Sequence, residues 1–175
     1  MRRKDTTTAM MKSYITESLL ILLRSRPYQD ITIREIAEKA GVNRSTYYRN
    51  FDSKEDIIRH YYASLLTGFQ DTVRTFSEME TYLVSMFTYF YDERDRLLLL
   101  HRHSLSHLLL DALNSVFVNT QPETSLDSLF SIYYHTGGIF NTFLFWFQKD
   151  MDIPPSTMAA LSTSFLPHDF HPMLV

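Results

Sequence analysis

Three histidines, His101, His103 and His107, stand close together in a chain of 175 residues that contains no cysteine. His103 and His107, four residues apart, are expected on one helical face and are the first candidates for a common metal. No third ligand follows at a fixed spacing, so ordinary polar or half-buried histidines are the better expectation. His135 is a lone histidine in an aromatic stretch. Asp92, Glu93 and Asp95 read as the solvated start of a helix. Neither a nucleophile elbow nor a glycine-rich phosphate loop accompanies them. These residues argue against an enzyme, and no cofactor or metal is expected. The lack of cysteine excludes disulfides and fits a reducing compartment.

A second group holds donors and cations instead of carboxylates: Thr32, Arg34, Asn43, Arg44, Ser45, Thr46, Tyr48 and Lys54. The charge of the chain is divided in the same sense. Residues 1–60 carry 12 Lys+Arg against 8 Asp+Glu, whereas residues 61–175 carry 5 against 12, within a net charge of −3. A basic N-terminal part on an acidic remainder suits a polyanion-binding unit joined to something else, although charge scatter alone gives the same modest excess.

The elements that must position these residues are helices. Only 4 Gly and 6 Pro occur, and residues 28–121 contain no proline. Met11, Tyr14, Ile15, Ser18, Leu19 and Leu22 recur at three- and four-residue spacing and predict a helix over 8–25, with Arg24 and Arg26 at its end and Pro27 as its stop. Thr32 and Glu35 form a capping box, with Ile31 and Ile36 as its staple, for a helix over 33–40 that ends at Gly41. Asn43 caps a short helix over 44–50. Ser53-Lys54-Glu55-Asp56 opens a long one through Ile57, Tyr61, Leu65 and Phe69, in which Gly68 marks a bend or a close contact. Further helices are expected over 78–91, 94–102, 104–118, 125–148 and 155–164. Gln121-Pro122-Glu123 breaks the chain, and the tail from Pro167 is expected to be loose.

Two short helices around a Gly-containing turn, with Ile36, Ala37, Ala40, Val42 and Tyr47 as their small core, match a helix-turn-helix. The second helix is then free to enter a major groove. The run from Thr32 to Asp56 resembles the TetR/AcrR family of transcriptional regulators over roughly residues 10–60. It departs from the usual pattern at Tyr47 and Asn50. The resemblance implies an all-α protein. A three-helix DNA-binding domain over 8–56 would join, through a long helix, a helical ligand-binding and dimerisation bundle over 57–175.

On that basis Thr32 and Lys54 are expected at phosphates, Thr32 also as a cap. Tyr48 is expected at a phosphate or base edge. Arg44, Ser45 and Thr46 open the recognition helix, where Arg44 either pairs with a guanine or holds the backbone. Arg34 and Asn43 are secondary contacts, while Tyr47 and Phe51 belong to the core.

The C-terminal half, with Gly137-Gly138-Ile139, Trp146 and Met151-Asp152-Ile153-Pro154, more loosely resembles the dihydroxyacetone-kinase regulator subgroup. Only the helical architecture carries over from that likeness; the TetR/AcrR resemblance implies a cavity for an unidentified small-molecule effector, with no lining residue assigned. It also implies a homodimer through residues 128–147 and 155–165, with Phe143, Trp146 and Phe147 as the interface candidates. The expected partner is a double-stranded palindromic operator. The alternative is a helical adaptor that uses the same surface on a protein. The longest apolar runs, such as Leu19–Leu23, are far too short to span a bilayer, and Lys12 and Glu17 interrupt any signal-like segment. A cytoplasmic protein is expected.

Overall fold

Helical punctuation in the sequence becomes helical structure almost residue for residue. The computed structural model describes residues 2–72, 78–117 and 125–165, with side chains from residue 7. Their helices are α1 (Arg2–Leu23), α2 (Ile33–Lys39), α3 (Arg44–Tyr48), α4 (Lys54–Thr72), α5 (Met79–Asp92), α6 (Arg94–Arg102), α7 (His107–Phe117), α8 (Leu126–Gln148) and α9 (Pro155–Thr163). The expected break at Gln121-Pro122-Glu123 and the tail from Pro167 lie outside the described residues.

Each start has a local cause. Thr32 and Glu35 close a reciprocal capping box on α2. Asn43 Oδ1 accepts the Thr46 N–H at 2.8 Å on α3. Ser53 and Asp56 exchange bonds of 3.0 and 3.1 Å across the start of α4. Each satisfies amide donors that a helix N-terminus leaves open. Gly41 ends the α2 turn at φ +66°, a left-handed conformation that favours glycine. At Gly68 the close contact is real, because an added Cβ would collide with Tyr89 Oη.

Two expectations need correction. The helix α1 begins at Arg2, since nothing between Arg2 and Thr8 breaks a helix, and it stops at Leu23, short of Arg24 and Arg26. There the chain tightens, with Ser25 N–H donating to Leu22 O at 3.2 Å. His103 Nε2 lies 2.8 Å from Leu23 O. A carbonyl only accepts, so Nε2 carries the hydrogen, and the imidazole caps α1 from the C-terminal part.

The second correction concerns His103 and His107. They do not share a helical face, because Ser104, at φ +61°, separates α6 from α7. His107 Nδ1 turns to Ser104 O at 3.0 Å, and His101 Nδ1 meets Ser106 Oγ at 2.9 Å. Each ring therefore has its own hydrogen-bond partner.

The helix α1 packs on α2 and on α4, and α2 packs on α3, while α4 packs on α7, α7 on α8, and α5 on α9. Ile15, Leu19, Ile36, Tyr47, Phe51 and Ile58 are buried at the N-terminal end. The same cluster continues into an aromatic core around Phe87, Phe90, Phe143 and Trp146. Phe90 and Phe143 have ring centroids 4.5 Å apart, and Trp146 meets Phe87 edge-on at 5.4 Å. Trp146 Nε1 donates to Ile153 O at 2.8 Å, so the one polar atom of the buried indole is satisfied.

Candidate nucleic-acid interface

Five residues are too few to hold a helix by themselves, so α3 depends on its anchors. Tyr47 is fully buried and Phe51 nearly so, with ring centroids 6.3 Å apart. The Val42 N–H donates to Ala37 O at 3.0 Å and ties the turn to α2. Asn50 Nδ2 donates to Thr46 O at 2.7 Å and closes the other end. Asn50, one of the departures from the family pattern, thus acts on its own helix terminus.

With those residues turned inward, Arg44, Ser45, Tyr48 and Arg49 are exposed together on the outer side of α3. Tyr48 is 49% exposed, with its ring edge-on to Tyr47 at 5.4 Å. Among the described residues Arg44 has no ion-pair partner, which leaves its guanidinium free for a bidentate contact. Ser45 Oγ donates to Asn43 Oδ1 at 2.7 Å, and Asn43 thereby serves two donors as a cap. The half-buried Thr46 accepts from Arg49 Nη2 at 2.7 Å.

Arg49 is a cation that the sequence reading missed. It lies four residues beyond Ser45, one turn on along the same face, and that spacing was the available signal.

The flanking candidates are more committed. Thr32 Oγ1 donates to Glu35 Oε2 at 2.7 Å and accepts the Glu35 N–H at 3.3 Å. Its hydroxyl proton is therefore already in use. Glu35 also takes Arg26 Nη1 at 2.8 Å, and these bonds, Arg26 first, hold its carboxyl down at about 2. Arg34 pairs with Glu38 at 2.7 Å, in the open.

Lys54 Nζ donates to Tyr28 O at 2.8 Å and Ile31 O at 2.7 Å, and it sits 4.3 Å from the centre of the Tyr28 ring. Two of its three protons are spent on carbonyls, so Lys54 first braces the approach to α2 and has one donor left for a phosphate. Tyr28 Oη donates to Glu55 Oε1 at 2.6 Å, which lowers the Glu55 pKa.

The interface candidates in the C-terminal half need correction. Phe143, Trp146 and Phe147 are at most 1% exposed within the single chain. A side chain already enclosed by its own chain has no surface left for a partner. Most of the apolar surface left open in this half lies nearer the start of α8 and on or just after α9. Leu126 is 81% exposed, Phe130 and Tyr134 are each 70% exposed, and Tyr133, Leu161 and Phe165 are open as well. Phe130 and Tyr134 are stacked, one turn apart, with centroids 6.4 Å apart.

Residues 15–61 match the family described as bacterial regulatory proteins, tetR family. An uncharacterized HTH-type transcriptional regulator of Bacillus subtilis (strain 168), YxbF, is 37% identical over 71 residues. The match takes in 40% of this chain and 19% of the relative, so it spans about a fifth of the curated relative's length. Among solved structures, the chain is similar to Thermus thermophilus FadR, a TetR family transcriptional repressor in complex with lauroyl-CoA. Identity there is 18%, coverage is 92% of this chain and 98% of that one, and the TM-score is 0.51. The family match encloses the framework that turns Arg44, Ser45 and Tyr48 outward, and residues 15–61 form a TetR-type helix-turn-helix domain within an all-helical, TetR-like fold.

Proposed function

We propose that this chain is a transcriptional regulator that binds double-stranded DNA through α3 and acts as a homodimer on a palindromic operator. The observation that carries this reading is the division of α3. Tyr47 is buried as the anchor, while Arg44, Ser45 and Tyr48 are left together in solvent. A short helix that exposes donors and an unpaired guanidinium suits base edges and phosphates in a major groove.

Residues 8–56 serve as the DNA-binding domain, and residues 57–175 as the ligand-binding and dimerisation domain. Thr32, Arg34, Asn43, Thr46 and Lys54 support the contact from its margins, and Arg49 joins them. The open apolar face of α8 and α9 is the proposed seat of the second copy, since an exposed patch of that kind marks an association surface. The C-terminal half is proposed to be of the dihydroxyacetone-kinase regulator kind, with no ligand carried over.

Repression is the favoured sign, relieved by a small-molecule effector that changes the separation of the two recognition helices from about 34–36 Å. The Thermus thermophilus neighbour, a repressor with a bound ligand, supports both parts of that reading. A cytoplasmic location goes with DNA as the partner, and no described helix is long and apolar enough to cross a membrane.

Electrophoretic shift of the DNA upstream of the protein's own gene, repeated across salt concentrations, tests the proposal. A shift that weakens steeply with salt, and is stronger than on unrelated DNA, is expected. No shift on any duplex at low salt would favour a protein-binding adaptor instead.

A further inference from the structure

Between α1, α4 and α6 lies a groove of about 670 Å³, within the size range of small-molecule sites and lined by none of the α3 residues. Lys12 and Thr16 on α1, Ser64 and Leu65 on α4, and Arg96 on α6 are among its lining. The N-terminal helices therefore form one wall and the C-terminal part the other.

The charges in the groove are unevenly used. Arg96 bridges Glu17 at 3.0 Å and Glu93 at 3.3 Å, and Glu93 also accepts from Tyr61 Oη at 3.1 Å. Both carboxylates and the guanidinium are thus committed to one another. Lys12 forms no ion pair with any described side chain; its ammonium lies 5.5 Å from the centre of the Phe51 ring. The neighbouring imidazole of His60 supplies no counter-charge. Burial, together with Lys12 itself, lowers the His60 pKa.

One turn along from Lys12, on the same face of α1, Thr16 is 8% exposed, and its buried hydroxyl has no hydrogen-bond partner among the described residues. A threonine inside a helix ordinarily returns its hydroxyl to a carbonyl of the preceding turn, and an unpaired buried donor is destabilising. An uncommitted ammonium and an unpaired hydroxyl at i, i+4 can converge on one acceptor group. A single spare cation matches a single negative charge, and Glu17 and Glu93 would repel a dianion. Ala9, Leu20 and Leu65 supply apolar wall for the rest of the molecule.

We propose that this groove binds a small organic monocarboxylate with an apolar body, its carboxylate held between Lys12 and Thr16. An occupant would bridge α1 to α4 and α6, and so bias how the recognition helix is carried. That regulatory use rests on the DNA-binding reading; the site itself does not.

Isothermal titration of the full chain with octanoate, in the absence of DNA, tests the site alone. Saturable binding of one octanoate per chain is expected, with octanol and the dianion octanedioate each about tenfold weaker or worse. Lys12→Gln should weaken octanoate by about tenfold or more, with recovery in Lys12→Arg. Thr16→Val should weaken it about fivefold while the melting temperature holds or rises, because the variant removes an unpaired hydroxyl. No binding up to about 10 mM, or binding that Lys12→Gln and Thr16→Val leave unchanged, would overturn the assignment. A failure of the DNA-binding reading would show instead in the shift assay, with octanoate binding intact.

Discussion

Two of the exposed surfaces of this protein are opposite in kind. The outer face of α3 is short, polar and cationic, whereas α8 exposes a broad apolar face nearer its start. The inner neighbours differ too. Around α3 the open residues are held by caps and by a buried tyrosine. The later part of α8 buries Phe143, Trp146 and Phe147 against its own chain and leaves Phe145 43% exposed. A polar open face suits a hydrated polyanion, and an apolar one suits a second copy of itself.

The sharpest way to break this contrast is to charge the open face. Phe130→Glu together with Tyr134→Glu should leave the chain folded by circular dichroism but monomeric by sedimentation. Operator affinity should then fall by about 10²–10⁴, because two linked half-site contacts become one. A variant that stays dimeric would remove the α8 assignment.

The core end should respond in the other sense. Trp146→Ala removes a buried indole and its hydrogen bond to Ile153, and should lower unfolding free energy by about 3–5 kcal/mol in a denaturant titration. Phe130→Ala should stay within about 0.5 kcal/mol in the same measurement. Equal losses would mean that the two ends of α8 are not distinct.

Much of the fold was legible because its punctuation is local. The Thr32–Glu35 box, the Asn43 cap, the Ser53–Asp56 pair and the left-handed Gly41 depend on neighbours a few residues away. What stayed hidden depends on contacts across the chain. Periodicity marks α8 as apolar on more than one side but not which side its own helices cover, so the enclosure of Phe143, Trp146 and Phe147 is not legible there. The carbonyls of Tyr28 and Ile31 that take up Lys54 lie more than 20 residues away from it. The left-handed Ser104 that parts His103 from His107 carries no glycine to announce it. Arg49 lies beyond the residues that open α3, yet its side chain shares their exposed face one turn later.

On the polar surface the effects are smaller. If Arg44 reads a guanine, Arg44→Ala should lose about 1–3 kcal/mol on the preferred operator and relax preference at one base pair per half-site. Arg49→Ala should instead weaken all DNA alike and reduce the salt slope by about one, as a phosphate contact does. Exchanged outcomes would reverse the two roles.

The smallest effect concerns the brace beneath that surface. The Glu35 carboxyl is held at about 2 in the folded chain, below its unfolded value. Its contribution is therefore complete above the unfolded pKa and is lost as pH falls toward about 2. Glu35→Gln should flatten the acid limb of thermal stability in that window and leave the neutral region parallel to wild type. An unchanged acid limb would show that the Arg26–Glu35–Thr32 link does not hold the start of α2.

Selection of bound duplexes from a random pool, followed by the mass of the purified complex, tests the central claim most directly. The account predicts an enriched palindrome with half-site centres about one helical turn, or a small multiple of it, apart. Two chains should bind each duplex, and Arg44→Ala should degrade one symmetric pair of positions. A pool that returns no enriched sequence, or a complex with one chain on an asymmetric site, would contradict it.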